Sequence, residues 1–428
     1  MQSNGETTVR TNWAGNHTYR ASSLVQPVSI AELQQLLPTL RRANALGARH
    51  SFNSIADTPG TQISLARFKS IDIDTSHAAN PTVTIGAGIT YGELAPALHQ
   101  HGFAIPNLAS LPHISVIGAC ATATHGSGLA NQCLSTAVSA IDIVAASGEL
   151  IHLSRAADPD TFPGTIVALG ALGIVTSLTL DLVPTFQVSQ TVYENLPFHQ
   201  LEHSLLDIFA AGYSVSLFTD WQQHRATQAW IKRKLNDPGE ATHMPETFFD
   251  ARRQADKLHP LPGHSAENCT EQLTLPGPWY ERLPHFRIDF TPSSGAELQT
   301  EYFVPLSQAY NAISAVEELR HRITPHLFVT ELRTVAADDL WLSMAFARDS
   351  LAIHFTWRPE PDAVLSLLPL IEAQLVRFAA RPHWGKLFTI PPESLRPLYP
   401  KLNAFSEIAS QFDPHGVFRN DYMSALLS

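Results

Sequence analysis

Cysteine is scarce: three residues in 428, Cys120, Cys133 and Cys269, are too few and too scattered for a disulfide framework. The scarcity fits a reducing compartment, and a cytoplasmic location is expected. Basic side chains are few as well. Twenty-eight Lys and Arg against 39 Asp and Glu leave a formal net charge of −11. A dispersed acidic balance offers no electrostatic footprint for nucleic acid or an anionic membrane surface, so neither is expected as a partner. Phosphate-bearing cofactors stay possible, because backbone N–H groups hold them as well as cations do. Long apolar runs are also missing. The N-terminal MQSNGETTVRTNW lacks the apolar core of a signal peptide. The most apolar stretch, residues 164–183, is broken by Thr165, Gly170, Gly173, Thr176, Ser177, Thr179 and Asp181. Those residues suit a buried α/β segment better than a membrane span.

What is present supports folded cores: 44% hydrophobic against 16% charged residues. At about 150 residues per domain, two or three domains are expected. Ser29 and Glu32 have capping-box spacing, and Leu33, Leu36, Leu37 and Leu40 continue a helical pattern toward a stop near Gly47. Residues 82–85 alternate as a strand, and a helix is predicted from Tyr91 to about His101. Residues 138–146 and 150–154 read as two strands joined at Ser147-Gly148, and 174–182 as another. After Pro184 the composition changes, and residues 231–278 read as a long irregular connection. Strands near 302–304, 326–335 and 351–357 and helices near 309–322 and 362–380 then imply an α+β second domain with a largely antiparallel sheet.

Two glycine-rich segments invite a cofactor reading. Gly86-x-Gly88 with Gly92 approximates the dinucleotide fingerprint, but the third glycine falls one position late. No Asp or Glu for a ribose follows in residues 105–112 either. The segment PNLASLPHISVIGACATATHGSG (106–128) packs Gly118, Gly126 and Gly128 among small residues, which lets backbone N–H groups approach a ligand. Composition alone equally allows a buried turn. In the later strands, side chains two apart share a face. Glu331 and Arg333 therefore project together between Val329 and Val335, as do His354 and Thr356 on the next strand. Alternation alone also allows a solvated sheet face, but a Glu–Arg pair between valines suits a half-buried, hydrogen-bonded site.

Taken together, GARHSFN (47–53), TVTIGAGITYGEL (82–94), LASLPHISVIGACATATHGSG (108–128) and ALGALGIVTSLTL (168–180) resemble the FAD-binding domain of the vanillyl-alcohol-oxidase type flavoproteins. The likeness continues through VTELRTV (329–335), AIHFTW (352–357), RPHWGK (381–386) and FDPHGVFRNDY (412–422), a set similar to alditol (xylitol) oxidases, with sugar-1,4-lactone oxidases as close relatives. It implies a two-domain FAD-linked oxidase fold: an FAD-binding domain over 1–184, a substrate (cap) domain over 185–385, and a C-terminal segment, 386–428, returning to the first. It also implies oxidation of a terminal polyol hydroxyl by FAD and O2, with peroxide released, by a protein expected to be a monomer.

By the same resemblance His50 carries FAD covalently through its 8α-methyl group. Ala48, Arg49, Ser51, Phe52 and Asn53 hold the pyrophosphate, and Ser115, Gly118, Thr122, Ala123, Thr124 and His125 form the other wall. Ile174 and Val175 line the adenine end, and His383 and Thr356 touch the flavin. The substrate pocket is implied to comprise Ser110, Glu331, Arg333, His354, Thr356 and Lys386. In it, Arg333 and Lys386 bind the reacting C1 oxygen, Glu331 and His354 hold the C2 hydroxyl, and His354 is the candidate general base. Three alternatives stay open: a lactone oxidase or dehydrogenase of the same family, a noncatalytic sugar-binding module, and a metal-dependent hydrolase using Cys120, His125 and Cys133. The last lacks any compact ligand motif, and no metal is expected.

Overall fold

In this computed structural model the described residues are 10–235, 244–290 and 297–427. Most of the stretch read for a signal peptide, and residues 236–243 of the weakly patterned connection, lie outside them. Two sheets organise the chain. The first has five antiparallel strands in the order Ile71–Asp74, Thr82–Gly86, Ile174–Asp181, Val138–Val144, Leu150–Ser154. The alternation predicted for 174–182 appears as strictly alternating burial, with Ile174, Leu178 and Leu180 inward. Gly148, with φ +83°, closes the predicted hairpin. Helix Tyr91–Gln100 is held at its start by a complete Thr90/Glu93 capping box.

Helix Ile30–Leu36 begins as expected, with Ser29 accepting from the Glu32 amide. It does not run to Gly47. The chain tightens at Leu37–Thr39, where Pro38 withdraws a donor, and then forms a strand, Ala43–Ala45. That strand pairs in parallel with Thr61–Ile63, which also pairs with Ser23–Val25. Glu32 answers the Val28 amide rather than that of Ser29.

Gly86 and Gly88 have a structural explanation. A Cβ on Gly88 would stand 2.7 Å from the carbonyl oxygens of both Leu65 and Ala66, and one on Gly86 would stand 2.5 Å from that of Phe68. The glycines admit a crossing backbone, not a ribose. Gly88→Ala should therefore destabilise the protein by about 1–3 kcal/mol, seen as a lowered thermal midpoint with cofactor content unchanged.

Among the described residues the second sheet has ten strands, all paired antiparallel: Thr247–Phe248, Ala251–Arg253, Gln187–Pro197, Arg225–Leu235, Ser214–Thr219, Leu327–Val335, Ser350–Trp357, Leu298–Pro305 and Arg381–Pro382 run side by side. Gly277–Pro278 adds to Gln187–Pro197. Helices Phe198–Ala210, Ala309–Glu317 and Pro361–Leu375 cover one face, burying Leu201, Ile313 and Leu368 against Leu332, Ile353 and Phe355. The opposite face looks toward the first sheet. Helices Leu402–Phe412 and Asp421–Leu427 place Phe405 and Met423 in the same core as Val83 and Ile85. No described helix is long and apolar enough to cross a membrane.

Candidate active site

Register on the large sheet assembles the polar site. Phe218 pairs with Glu331, Glu331 with His354, and His354 with Glu301, so one row across four adjacent strands points to one face. Thr356 and Arg333 stand one pleat to either side of that row. The alternate residues Leu332, Ile353 and Phe355 face the helices. The Glu–Arg face is thus buried, not solvated: Glu331, Arg333 and His354 are all under a tenth exposed.

Lys386 enters from the loop after Arg381–Pro382 and completes a cluster around Glu301. Its Nζ donates to Glu301 Oε2 and to His354 Nδ1, each at 2.6 Å. Arg333 Nη2 donates to Glu301 Oε1 at 2.7 Å, and Nη1 approaches Ser110 Oγ at 3.4 Å. His125 Nε2 lies 3.2 Å from the same Glu301 oxygen. Burial opposes ionisation of Glu301, but Lys386, His125 and Arg333 outweigh it and hold the carboxyl well below its ordinary range. Glu331 is likewise depressed against burial, chiefly by Arg333 and then His285, whose Nε2 is 2.8 Å from Oε1. Burial lowers Lys386, with Glu301 opposing, and brings His354 down to about 4, with Lys386 adding to the effect. The result is two carboxylates, two cations and a neutral imidazole around one space.

The small-residue loops form the facing wall. Ser115 Oγ sits where a Cβ on Gly47 or Gly118 would come within 2.8 or 2.6 Å, so both glycines are needed for the loops to close on each other. Arg49 takes a left-handed φ of +63°. The loop 47–53 is latched to the lysine loop: Phe52 N donates to Gly385 O at 2.7 Å, and Asn53 Nδ2 donates to the Trp384 and Lys386 carbonyls at 2.8 Å. His50 lies between Trp13 and His113, ring centroids 4.7 and 4.4 Å away. Burial first, then His113 and Arg49, lower its pKa to about 3, leaving a neutral imidazole.

A cavity of about 720 Å³ joins the two walls. Ala48, Arg49, His50, Ser51 and Phe52 line it, as do Ser110, Ser115, Gly118, Thr122, Thr124, His125, Ile174 and Val175. So do Glu331, Arg333, His354, Thr356, His383 and Lys386. Asn53 and Ala123 do not line it: the Asn53 amide is spent on the latch, and Ala123 is a buried residue with φ +53°. Sequence reasoning missed Glu301, His285 and Trp13. Glu301 had a signal, a carboxylate within the apolar strand TEYFV, but its partners lie on other elements. The irregular connection supplies His259, Leu261 and His264 to the cavity wall. Small residues that let the backbone approach, a neutral, half-buried histidine and a cavity of this volume fit a dinucleotide such as FAD.

Among the described residues no three His, Cys, Asp or Glu side chains gather as metal ligands. Cys133 instead meets Asp338 at 3.3 Å, while His125 turns to Glu301.

Residues 21–154 match the family described as FAD binding domain, and residues 296–426 match D-arabinono-1,4-lactone oxidase. The chain is 45% identical over 425 residues to the alditol oxidase of a Streptomyces species, covering 98% of this chain and 99% of that one. It is 30% identical over 440 residues to the L-gulono-1,4-lactone dehydrogenase of Mycobacterium tuberculosis, covering 97% and 98% of the two chains. In fold it is similar to the cholesterol oxidase of Brevibacterium sterolicum, with a TM-score of 0.78 at 15% identity, covering 98% of this chain and 96% of that one. The near-full-length similarity to that alditol oxidase, with the FAD binding domain match, shows that the chain belongs to the alditol oxidase family of vanillyl-alcohol-oxidase type FAD-linked oxidoreductases.

Proposed function

We propose that this protein oxidises the terminal C1 hydroxyl of alditols such as xylitol and sorbitol to the aldose, with O2 as acceptor and H2O2 released. The observation that carries this reading is the Glu301–Lys386–Arg333 cluster at the wall facing the FAD-binding loops. Two carboxylates offset two cations there, so the space favours a neutral, hydroxyl-rich substrate over an acid. Hydroxyls both donate and accept, and can satisfy the carboxylates and the cations together.

Bound FAD supplies the hydride acceptor. Lys386 and Arg333 bind O1 and stabilise the negative charge that grows on it as its proton leaves. Glu331 accepts from the C2 hydroxyl, and Ser110 orients the substrate from the opposite wall. Because His354 Nδ1 accepts from Lys386, its ring proton sits on Nε2 toward Thr356 Oγ1 at 3.1 Å. His354 therefore has no free lone pair for the substrate. In this reading His354 receives a proton through Lys386, in place of the direct general-base role expected from sequence.

Ala48 to Phe52, Ser115, Gly118, Thr122, Thr124 and His125 would hold the pyrophosphate, with Ile174 and Val175 at the adenine end and His383 and Thr356 beside the flavin. His50, neutral and half-buried at the cavity wall, would attach covalently through its ring nitrogen. His50→Ala should yield flavin that acid precipitation extracts, whereas the native protein should keep its colour in the pellet. Flavin that stays covalently bound in the variant would refute the assignment. Substrate class is tested by peroxide release: xylitol and sorbitol should support it, and a sugar-1,4-lactone should be much slower. A preference for the lactone would favour the lactone oxidase reading.

A further inference from the structure

Lys232 does not line the cavity, yet it is only 1% exposed on the strand Arg225–Leu235. Its ammonium meets three acceptors: the carbonyls of Leu283 and Pro284, and Nδ1 of His285 at 3.3 Å. None of the three is a carboxylate. A buried cation held by neutral acceptors alone is costly, and an apolar side chain would fill the same space at less cost.

The arrangement has a consequence for the next residue along. An ammonium only donates, so His285 Nδ1 must present its lone pair to Lys232, and the ring proton sits on Nε2. That nitrogen donates to Glu331 Oε1 at 2.8 Å, and Glu331 Oε2 stands 3.6 Å from Arg333 Nε. The rings of Phe218 and Trp230 meet the imidazole edge-on, with centroids 5.4 and 5.3 Å away, and hold its plane. We infer that Lys232 is a positioning residue for the substrate site, fixing His285 as the Nε2–H tautomer and so aiming the Glu331 carboxylate beside Arg333. The inference rests on the reading of Glu331 as a substrate-binding group.

It also makes the site sensitive to pH. Burial brings Lys232 down to about 7, with Glu331 opposing and Arg333 adding. The other groups facing the pair are Cys269, on the Lys232 side, and His259, on the His285 side. Neither changes charge near neutrality, because burial raises Cys269 to about 11 and lowers His259 to about 4. When Lys232 loses its proton, its nitrogen becomes an acceptor. His285 can then carry its proton on Nδ1, and Glu331 loses its donor. The productive arrangement is present at lower pH and lost as pH rises through the Lys232 ionisation.

The test uses the flavin-loaded protein, measuring kcat and KM for xylitol against pH for wild type, Lys232→Met, His285→Gln and the double variant. Lys232→Met should lower kcat/KM by about tenfold, mainly through KM, and flatten the alkaline limb. His285→Gln keeps an N–H donor without a tautomer choice, so it should flatten the same limb. Adding Lys232→Met to it should then change kcat/KM by less than about twofold. A wild-type profile in Lys232→Met, or an undiminished loss in the His285→Gln background, would overturn the inference. Should Lys232→Met fail to fold, an alkaline limb retained in His285→Gln would overturn it alone. Nitrogen NMR of the wild-type histidines should show His285 as Nε2–H below neutrality, and an Nδ1–H signal there would contradict it. This last readout needs no turnover. A wild-type enzyme inert toward alditols would refute the substrate reading while leaving the tautomer result to decide the role of Lys232.

Discussion

Lys386→Met should lower kcat by about a thousandfold while the protein stays folded and yellow. The lysine donates to Glu301 and His354 from a loop, not from the core of a strand, so its removal disturbs one charge-assisted contact set. It supplies the cation nearest the proton-accepting imidazole, and methionine fills its stem without replacing that charge. Arg333 binds O1 beside it but cannot take over this role, because its guanidinium holds Glu301 and approaches Ser110, whereas it is Lys386 that bonds His354. KM should rise much less than kcat falls, since the lost interaction strengthens as O1 gains charge. Stopped-flow reduction with xylitol measures this directly. A variant within tenfold of wild type would remove Lys386 from the chemistry.

Glu301→Gln should have the largest effect on stability, about 3–5 kcal/mol, because it strips the shared counter-ion from the buried Arg333 and the mostly buried Lys386 while keeping the space filled. The comparison with Lys386→Met is informative: one variant removes a cation and leaves Arg333 to balance Glu301, the other leaves both cations without it. The stability gap should also depend on pH. The Glu301 carboxyl is depressed in the folded state, so its contribution is full above the ordinary carboxylate range. It is lost as pH falls through the folded value. Denaturant unfolding of wild type and Glu301→Gln should therefore show a constant gap near neutrality that closes in acid. A gap that widened in acid would contradict this account of Glu301.

Glu301 also marks the limit of what the chain reveals before it folds. Alternation in VTELRTV and AIHFTW was enough to place Glu331 with Arg333 and His354 with Thr356, because period-2 geometry is local. It could not show that the row continues onto the strand Leu298–Pro305, since register between strands depends on long-range pairing. The same holds for His285, which lies outside any strand or helix, between Trp279–Glu281 and Leu298–Pro305. Local rules failed differently near residue 40, where leucine spacing favoured helix and Pro38 with parallel pairing to Thr61–Ile63 prevailed. The loops 47–53 and 106–128 were legible as small-residue segments. What could not be read was the latch from Asn53 to the Trp384 and Lys386 carbonyls, which brings the cofactor wall and the lysine loop to one cavity.

The most direct measurement is an anaerobic titration of the purified protein with xylitol, followed by visible absorption and then by admission of air. The flavin band should bleach as xylitol is added, recover with oxygen, and release peroxide in proportion to the flavin present. A flavin band that xylitol leaves unchanged, in protein that binds FAD, would contradict the claim that this cavity oxidises polyols.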